Sequence, residues 1–294
     1  MPMNTSQFQN LYLKKIDKTF FEAWDEESEQ WSRYLKAETS SQNAEVTQNF
    51  AGIAKWSKKD ELANPTEQKF KLGDIITTTH QPFAVTVVMS REQVDDSKYK
   101  EVEGMTRDAG HAGRETLESE CIGVLDNAFT VNQYDGVPLC SDSHPNRGDA
   151  GGVQDNLHSG ALSDATLKTG LTLFRQQKDE SGKQILARPK KLIIHQSKQF
   201  LAATILQSTL QSGTPNNDKN VLPALEIVDL DFMSSTTAWF LQGSRHGLVH
   251  YFRVKPEFIR EKEMRQNGSW VWNGYFRHST SVENWRMFLG SPGT

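Results

Sequence analysis

Cysteine is scarce in this chain, and long apolar runs are absent. Two cysteines in 294 residues are too few for a disulfide framework, so we expect a reducing compartment. Apolar stretches such as FAVTVVM at 83–89 are far too short to cross a bilayer. The first residues, MPMNTSQFQNLYLKK, carry no apolar run behind a basic cluster, so no secretory signal is expected. The sequence therefore predicts a soluble cytoplasmic product without a membrane partner.

An excess of positive charge is also missing. The 33 Lys and Arg residues are outnumbered by 37 Asp and Glu, which gives a net charge of −4. Proteins whose main task is to neutralise phosphates are usually strongly basic, so the sequence does not predict such a role. The apolar share of 36% and the mean hydropathy of −0.62 are low for a compact enzyme. Such a chain either contains disordered stretches or completes its burial against partners.

Recognisable catalytic motifs are lacking, although the segment DGVPLCSDSHPNRGDAGG at 135–152 contains the ingredients of one. Cys140, Asp142 and His144 stand within five positions there. Members of a catalytic triad normally come from distant segments, and no family-specific signature surrounds Cys140. Asp, Ser and Pro are ordinary turn formers. We therefore interpret the segment as structural, and its RGD tripeptide at 147–149 as coincidence.

No metal or cofactor site is predicted either. His246 and His250 are four positions apart, but they lie in a strand pattern, where that spacing is too wide for one ion. The sequence contains no H-E-x-x-H, C-x-x-C, G-x-G-x-x-G or Walker pattern. Cys121 lies on the apolar stripe of a helix and is interpreted as a small core residue. We expect no enzyme and no cofactor.

A long helix is the strongest feature that is present. The range Lys98–Phe129 contains no proline, and apolar residues recur in it every three or four positions. At 1.5 Å per residue, such a helix is about 45 Å long. Its four glycines each cost about 0.5–1 kcal/mol relative to alanine, so we expect close packing by a neighbouring backbone. These glycines are Gly104, Gly110, Gly113 and Gly123.

The patterns of two segments before this helix predict that neither segment can bury its apolar side chains on its own. Alternating β-branched residues on both sides of His80-Gln81-Pro82 predict a β-hairpin over 67–90. A lone two-stranded ribbon is marginal in water, so it should lean on another surface. In the leader at 6–60, an aromatic residue every three or four positions predicts short amphipathic helices that dock elsewhere.

The rest of the chain alternates between helix and strand signals. Ser163 is a plausible N-cap for a helix that ends near Asp179. A buried strand is predicted at 190–195 and a helix at 199–210. Further strands are predicted at 225–231, 238–242 and 248–254, with β alternation around Trp270, Trp272 and Tyr275. The fold class is therefore mixed α+β.

Several motifs follow one another in a distinctive order. They are Val102 through Tyr134-Asp135-Gly136, Ser143-His144-Pro145, Arg188–Ile194, Leu206–Leu210 with Pro215–Asp218, Trp239-Phe240-Leu241, Trp285-Arg286 and Gly290–Gly293. In this order the sequence resembles the major capsid proteins of tailed bacteriophages, and most closely the Mu-like prophage major head subunit family. The pairing of DG…SHP with RPKKLII carries most of the resemblance, which covers the chain from about residue 8 to its end.

The resemblance implies the Hong Kong 97-type capsid fold. Residues 1–50 would form the N-terminal arm and 51–92 the extended β-hairpin loop. The peripheral domain would comprise 93–182 and 247–294, with a spine helix at about 98–129. The axial domain would be 183–246.

The implied function is that of a major capsid protein in the virion, assembled in the bacterial host cytoplasm. Copies would form pentamers and hexamers of an icosahedral shell that encloses double-stranded DNA without sequence-specific binding. Portal, scaffold and decoration proteins would be further partners. The residues expected at intersubunit contacts are Phe8, Leu11, Phe20, Trp24, Ile75, Thr77, Phe83, Val85 and Val87.

Two alternatives remain open from the sequence. An encapsulin-like nanocompartment would share the fold but enclose enzymes, so the content of purified particles separates the two. A cytosolic hydrolase that uses Cys140 and His144 would lose its activity when Cys140 is alkylated, whereas a shell protein would still assemble.

Overall fold

A computed structural model describes residues 5–50, 56–65, 67, 72–96, 99–146, 151–180, 182–210 and 219–293. The helices are α1 (Thr5–Glu26), α2 (Arg91–Asp95), α3 (Tyr99–Asp126), α4 (Asp164–Gln176) and α5 (Gln199–Gln207). The first six strands are β1 (Lys36–Thr39), β2 (Ala44–Phe50), β3 (Leu72–Thr79), β4 (Gln81–Met89), β5 (His144–Pro145) and β6 (Val153–Gln154). The last six are β7 (Pro189–His195), β8 (Glu226–Leu230), β9 (Trp239–Gly243), β10 (Gly247–Arg260), β11 (Trp270–Asn284) and β12 (Phe288–Ser291).

The first sheet has the strand order β1-β10-β11-β4. The long strands β10 and β11 form an antiparallel pair at its centre, β4 is antiparallel to β11, and β1 runs parallel to β10. Helix α3 packs against β4 and β11, and α1 contacts both α3 and β10. The long helix predicted at about 98–129 is confirmed, since α3 spans 28 residues. Among the described residues, no helix is long and apolar enough to cross a membrane.

Two glycines of α3 let α1 approach closely. A Cβ atom on Gly110 would lie 2.6 Å from the backbone oxygen of Phe20, and one on Gly113 would lie 2.5 Å from the Trp24 ring. The Phe20 ring stacks on Phe258 of β10 at 4.2 Å between centroids. The expected close approach at these glycines therefore occurs within one chain, where α1 fills the layer between α3 and the sheet.

The second sheet has the order β12-β9-β7-β8, with β7 and β8 parallel and the other pairs antiparallel. Leu192, Ile193 and Ile194 of β7 are fully buried, as expected for a central strand with both faces covered. Helix α4 packs against β9 and β12, and α5 packs against β8. The predicted N-cap is confirmed, because the Ser163 hydroxyl accepts a hydrogen bond from the backbone N–H of Thr166.

The predicted hairpin over 67–90 is wrong in its pairing. β3 pairs with β2, in register from Ala44 opposite Thr79 to Phe50 opposite Leu72, whereas β4 pairs with β11. β3 and β4 are thus consecutive strands separated only by His80, where the chain passes from a two-stranded ribbon into the first sheet. The alternation of side chains predicts strands correctly but does not identify their partners. We call β2 and β3 the ribbon.

The pairing of β12 with β9 places the chain's last strand in the second sheet. The sequence-based division assigns 247–294 as a whole to the other domain. Helix α4, which that division also placed with the long strands, contacts β9 and β12 instead. A division by sequence order does not anticipate these two placements, because both depend on contacts between segments far apart in the chain.

Candidate assembly surfaces

The loop that begins at Asp135 is a closed polar network. The Nδ1 atom of His144 lies 2.6 Å from Oδ2 of Asp135, and its Nε2 atom lies 3.0 Å from Oδ1 of Asn156 and 3.2 Å from the carbonyl oxygen of Leu139. The imidazole is fully buried and stacks on Trp285 at 4.1 Å. Both ring nitrogens are therefore occupied by structural partners, which leaves neither available as a general base.

Cys140 does not form a nucleophile–base pair with this histidine. Its thiol is buried, and a Cβ atom placed on Gly290 would come within 2.5 Å of the sulfur. Burial raises the pKa of Cys140 well above its ordinary value, which disfavours the thiolate that a nucleophile requires. Asp142 is exposed, and the RGD tripeptide lies outside the described residues. The geometry supports a structural interpretation of the loop.

The ribbon carries apolar side chains that its own chain leaves uncovered. Ile75 is 62% exposed, and Val46 and Leu72 are also exposed, whereas Ile76 points inward and is buried. Between the two strands, Trp56 and Leu62 are 95% and 98% exposed. Exposed apolar side chains concentrated in one segment are typical of interaction sites in soluble proteins. The ribbon is therefore the first candidate assembly surface.

Polar contacts attach the base of the ribbon to the first sheet. His80 lies between two hydroxyls, with Nδ1 2.9 Å from Ser279 and Nε2 3.0 Å from Ser40. The Thr78 hydroxyl donates to Ser281 at 2.8 Å, and near the other end of the ribbon the Asn49 amide donates to the backbone oxygen of Glu283 at 2.6 Å. Burial lowers the pKa of His80, and the nearby Arg277 lowers it further. The ribbon is thus held to the first sheet by hydrogen bonds along its length and has almost no core of its own.

The structure corrects the expectation for the leader. Phe20 and Trp24 are buried inside their own chain, Phe20 on Phe258 and Trp24 edge-on against Phe276. These two side chains therefore do not wait for another subunit to cover them. Periodicity showed that one face of the helix is apolar, but it could not show that the covering surface is α3 of the same molecule. The side chains of Phe8 and Leu11 lie outside the described residues.

The predicted contact residues of β4 divide between core and surface. Val87 is buried, and Phe83 stacks on Phe276 at 5.2 Å. Val85 is partly exposed at the mouth of a groove of about 260 Å³ between α1, α3 and the sheet. Thr77 of the ribbon is exposed. Ile75, Thr77 and Val85 therefore remain predicted intersubunit contacts.

A second apolar surface lies at the end of the second sheet, where the sequence predicted no contact. Phe200 on α5 is 82% exposed and Val221 is 74% exposed, and Leu201 and Leu210 in the same region are exposed as well. The helical spacing and the high apolar content of residues 199–207 favour a core helix. In the structure, Ala202 is the only one of these residues that is buried. When a helix carries more apolar residues than its buried face contains, the additional ones indicate such a surface.

Sequence reasoning also missed a buried cluster. Cys121 of α3, His250 of β10 and His278 of β11 offer ligand atoms that all lie within 4.8 Å of one another. The spacing of His246 and His250 predicted no shared ion, and His246 is not a member of this cluster; its Nδ1 atom accepts from the backbone N–H of Leu248. Strand register and helix packing bring the cluster together, and neither is visible in local spacing.

A sequence-family comparison finds a match over most of the chain. A family model described as phage capsid protein matches residues 75–289. No curated protein is significantly similar in sequence.

Solved structures with the same fold come from several particles. The procapsid protein of bacteriophage JBD30 is 13% identical with a TM-score of 0.56, over 98% of this chain and 76% of that one. The capsid protein of a native GTA particle is 10% identical with a TM-score of 0.56, over 89% of each chain. The SrpI encapsulin of Synechococcus elongatus PCC 7942 is 12% identical with a TM-score of 0.53, over 90% of this chain and 87% of that one. At these identities the likeness concerns the fold alone.

Proposed function

The chain belongs to the phage capsid protein family and has the Hong Kong 97-type fold, and from this premise we propose how it builds a shell. It is a major capsid protein, a structural component of a phage head. In our proposal, copies form pentamers and hexamers through heterologous contacts that repeat around each ring. These rings close into an icosahedral shell, because repeated heterologous contacts generate closed assemblies when their rotation closes.

The exposed apolar side chains of the single chain carry this proposal. The ribbon exposes Val46, Leu72 and Ile75, and the α5 surface exposes Phe200 and Val221. A standard interface buries roughly 800 Å² on each partner, and its centre is apolar. The ribbon and the α5 surface therefore supply apolar side chains for contacts with neighbouring copies.

The two sheets support a division into domains. We assign the sheet β1-β10-β11-β4 with α1 and α3 to the peripheral domain, and the sheet β12-β9-β7-β8 with α4 and α5 to the axial domain. The ribbon takes the place of the extended loop. This assignment keeps the spine helix and the buried RPKKLII strand where the resemblance puts them, and it moves α4 and β12 to the axial side. The order of those motifs also supports membership of the Mu-like subfamily.

The charge of the chain suits a container for nucleic acid. With a net charge of −4, the protein offers little general attraction for phosphates, so double-stranded DNA would be enclosed without tight or sequence-specific binding. Portal, scaffold and decoration proteins would be the other partners. Assembly would take place in the cytoplasm of the bacterial host.

A ribbon truncation tests the assembly proposal. Glu45 and Thr78 are register partners at the base of the ribbon, so residues 46–77 are replaced by Asn-Gly, which favours a two-residue hairpin turn. This deletion leaves β4 in its sheet. We expect a folded protein with an unfolding midpoint close to that of the full chain, and no closed particles in negative-stain microscopy.

A single substitution sharpens the test. Ile75→Asp places a charge on an exposed position, so the free energy of unfolding should change by no more than about 0.5 kcal/mol while assembly fails. The matched control, Ile75→Val, keeps an apolar β-branched side chain and should assemble normally. If Ile75→Asp and the truncation both form normal particles, the ribbon is not an assembly surface.

The encapsulin-like alternative differs in what the shell contains. The fold likeness to the SrpI encapsulin is compatible with it, whereas the family match favours a phage capsid. Particles recovered from the source cells should hold nuclease-protected double-stranded DNA. A co-purifying enzyme in place of DNA would support the compartment instead.

A further inference from the structure

The cluster of Cys121, His250 and His278 lies in the layer between α3 and the first sheet. His250 is opposite Thr280 and His278 is opposite Phe252 across the β10–β11 pair, so the two histidines are diagonal neighbours on one face. Their facing nitrogens, Nε2 of His250 and Nδ1 of His278, lie 3.1 Å apart. Cys121 on α3 completes a set of three ligand atoms within 4.8 Å of one another.

These distances match the ligand spacing around a tetrahedral ion. With Zn–N bonds of about 2.0–2.1 Å and a Zn–S bond of about 2.3 Å, two nitrogen ligands lie about 3.3 Å apart and nitrogen and sulfur about 3.6 Å apart. The observed nitrogen pair is already at that separation. The Cys121 sulfur lies within 4.8 Å of the ligand atom of each histidine, so small side-chain movements would bring it to the distance that a shared ion requires.

The three ligands are enclosed by the protein. Cys121 and His250 are fully buried, His278 is nearly so, and the ring of Trp31 packs against His250 at 4.3 Å between centroids. A cysteine that ligates a metal ion loses its proton, so Cys121 would bind as the thiolate.

A hydrogen bond joins Nε2 of His250 and Nδ1 of His278 in the metal-free chain. One imidazole donates its proton to the other there, so an ion bound by both nitrogens would replace this hydrogen bond. The Tyr34 hydroxyl is a further buried polar group with no hydrogen-bond partner among the described residues. The fourth position around the ion would be left for a water.

We propose that Cys121, His250 and His278 bind one zinc ion, which ties α3 to β10 and β11. Thiolate and imidazole ligands select a borderline-soft ion, whereas magnesium and calcium require oxygen ligands. Zinc imposes no geometry of its own and accepts three protein ligands with a fourth position left over. The role is structural, because the ion would clamp the helix layer to the sheet. The proposal is independent of the shell function, and its failure would leave that function untouched.

Zinc content tests the proposal. The full chain is expressed with added zinc, and separately refolded in its presence so that burial does not block entry, and bound metals are counted by elemental analysis. We expect about one zinc per chain. Cys121→Ser and His278→Gln should each weaken binding by about 100-fold or more. The matched control is Cys140→Ser, which alters the other buried cysteine and should retain full binding.

Cobalt provides a second readout that does not depend on stability. Wild type and Cys140→Ser, when loaded with cobalt, should show the thiolate-to-cobalt band in the near ultraviolet together with strong visible bands. Cys121→Ser should lack the thiolate-to-cobalt band. Circular dichroism identifies any variant that has not folded, in which case His278→Gln replaces Cys121→Ser. A metal-free wild type after both loading routes, copper in place of zinc, or equal binding by Cys121→Ser and Cys140→Ser would overturn the assignment.

Discussion

Because α1 packs closely on α3, we expect that replacing glycine by alanine has opposite effects on the free energy of unfolding at two positions of α3. At Gly110, a Cβ atom would lie 2.6 Å from the backbone oxygen of Phe20 and 2.9 Å from Cβ of Ala23. A backbone oxygen cannot rotate away, so α1 itself would have to shift. At Gly104, no heavy atom of the described residues lies within 4 Å of the corresponding position.

The expected magnitudes follow from two competing terms. Replacing a helical glycine by alanine stabilises the helix by about 0.5–1 kcal/mol. Overpacking a close contact costs about 1–3 kcal/mol. Gly104→Ala should therefore increase the free energy of unfolding by about 0.5–1 kcal/mol, and Gly110→Ala should decrease it by about 1–2 kcal/mol.

Urea and thermal unfolding measure both variants. The substitutions are made in the full-length Ile75→Asp chain, so that dissociation of a shell does not mix with unfolding. A change of 1 kcal/mol in the free energy of unfolding shifts the thermal midpoint by about 2–4 °C in domains of roughly 150–250 residues. We expect a slightly smaller shift in this longer chain. If Gly110→Ala stabilises the protein as much as Gly104→Ala does, α1 does not rest on α3 in the way described.

Three further predictions concern buried polar groups. Asp135→Asn breaks the buried pair with His144 and should lower the free energy of unfolding by about 3–5 kcal/mol in urea titrations, and an effect below 1 kcal/mol would contradict the pairing. The lowered pKa of His80 gives stability that is present above about pH 6.5 and lost as the pH falls toward the folded value. After correction for the intrinsic exchange rate, which is itself slower at low pH, the protection of amides at the ribbon base should thus decrease from pH 7 to pH 5 in wild type but not in His80→Gln. Native Cys140 should resist iodoacetamide, and rapid labelling would show that it is accessible.

Local signals made much of the fold predictable. The proline-free periodic stretch identified α3, Ser163 identified the start of α4, and the apolar RPKKLII run identified the buried strand β7. Each of these features depends on residues that are neighbours in sequence. Backbone propensity, capping and burial pattern therefore sufficed.

Partner choice was not predictable in the same way. The alternation at 72–89 is the same whether β3 pairs with β4 or with β2, and only the structure shows that β4 joins β11. The apolar face of α1 is equally compatible with a neighbouring subunit and with α3. These choices depend on which surface lies nearby in three dimensions, and local periodicity contains no information about it.

The metal-ligand cluster shows the same limit more sharply. A hairpin centred on the loop 261–269 brings His250 and His278 near each other, and the sequence does permit that inference. Register shifts between Phe252 and Val254, and again before Glu257, decide which residues share a face. Bulges of this kind alter pairing by one residue and leave no clear trace in composition. Cys121 then joins from a helix more than 100 positions away from both histidines.

The junction at His80 has a consequence for assembly. Only His80 separates β3 from β4, so a change in the angle between the ribbon and the first sheet would centre on this residue, whose imidazole lies between two serine hydroxyls. Hydrogen bonds to hydroxyls can be exchanged for bonds to water at little net cost. Pentagonal and hexagonal rings require slightly different angles between neighbours. A hinge at this position would let one subunit serve in both rings while its interior packing stays the same.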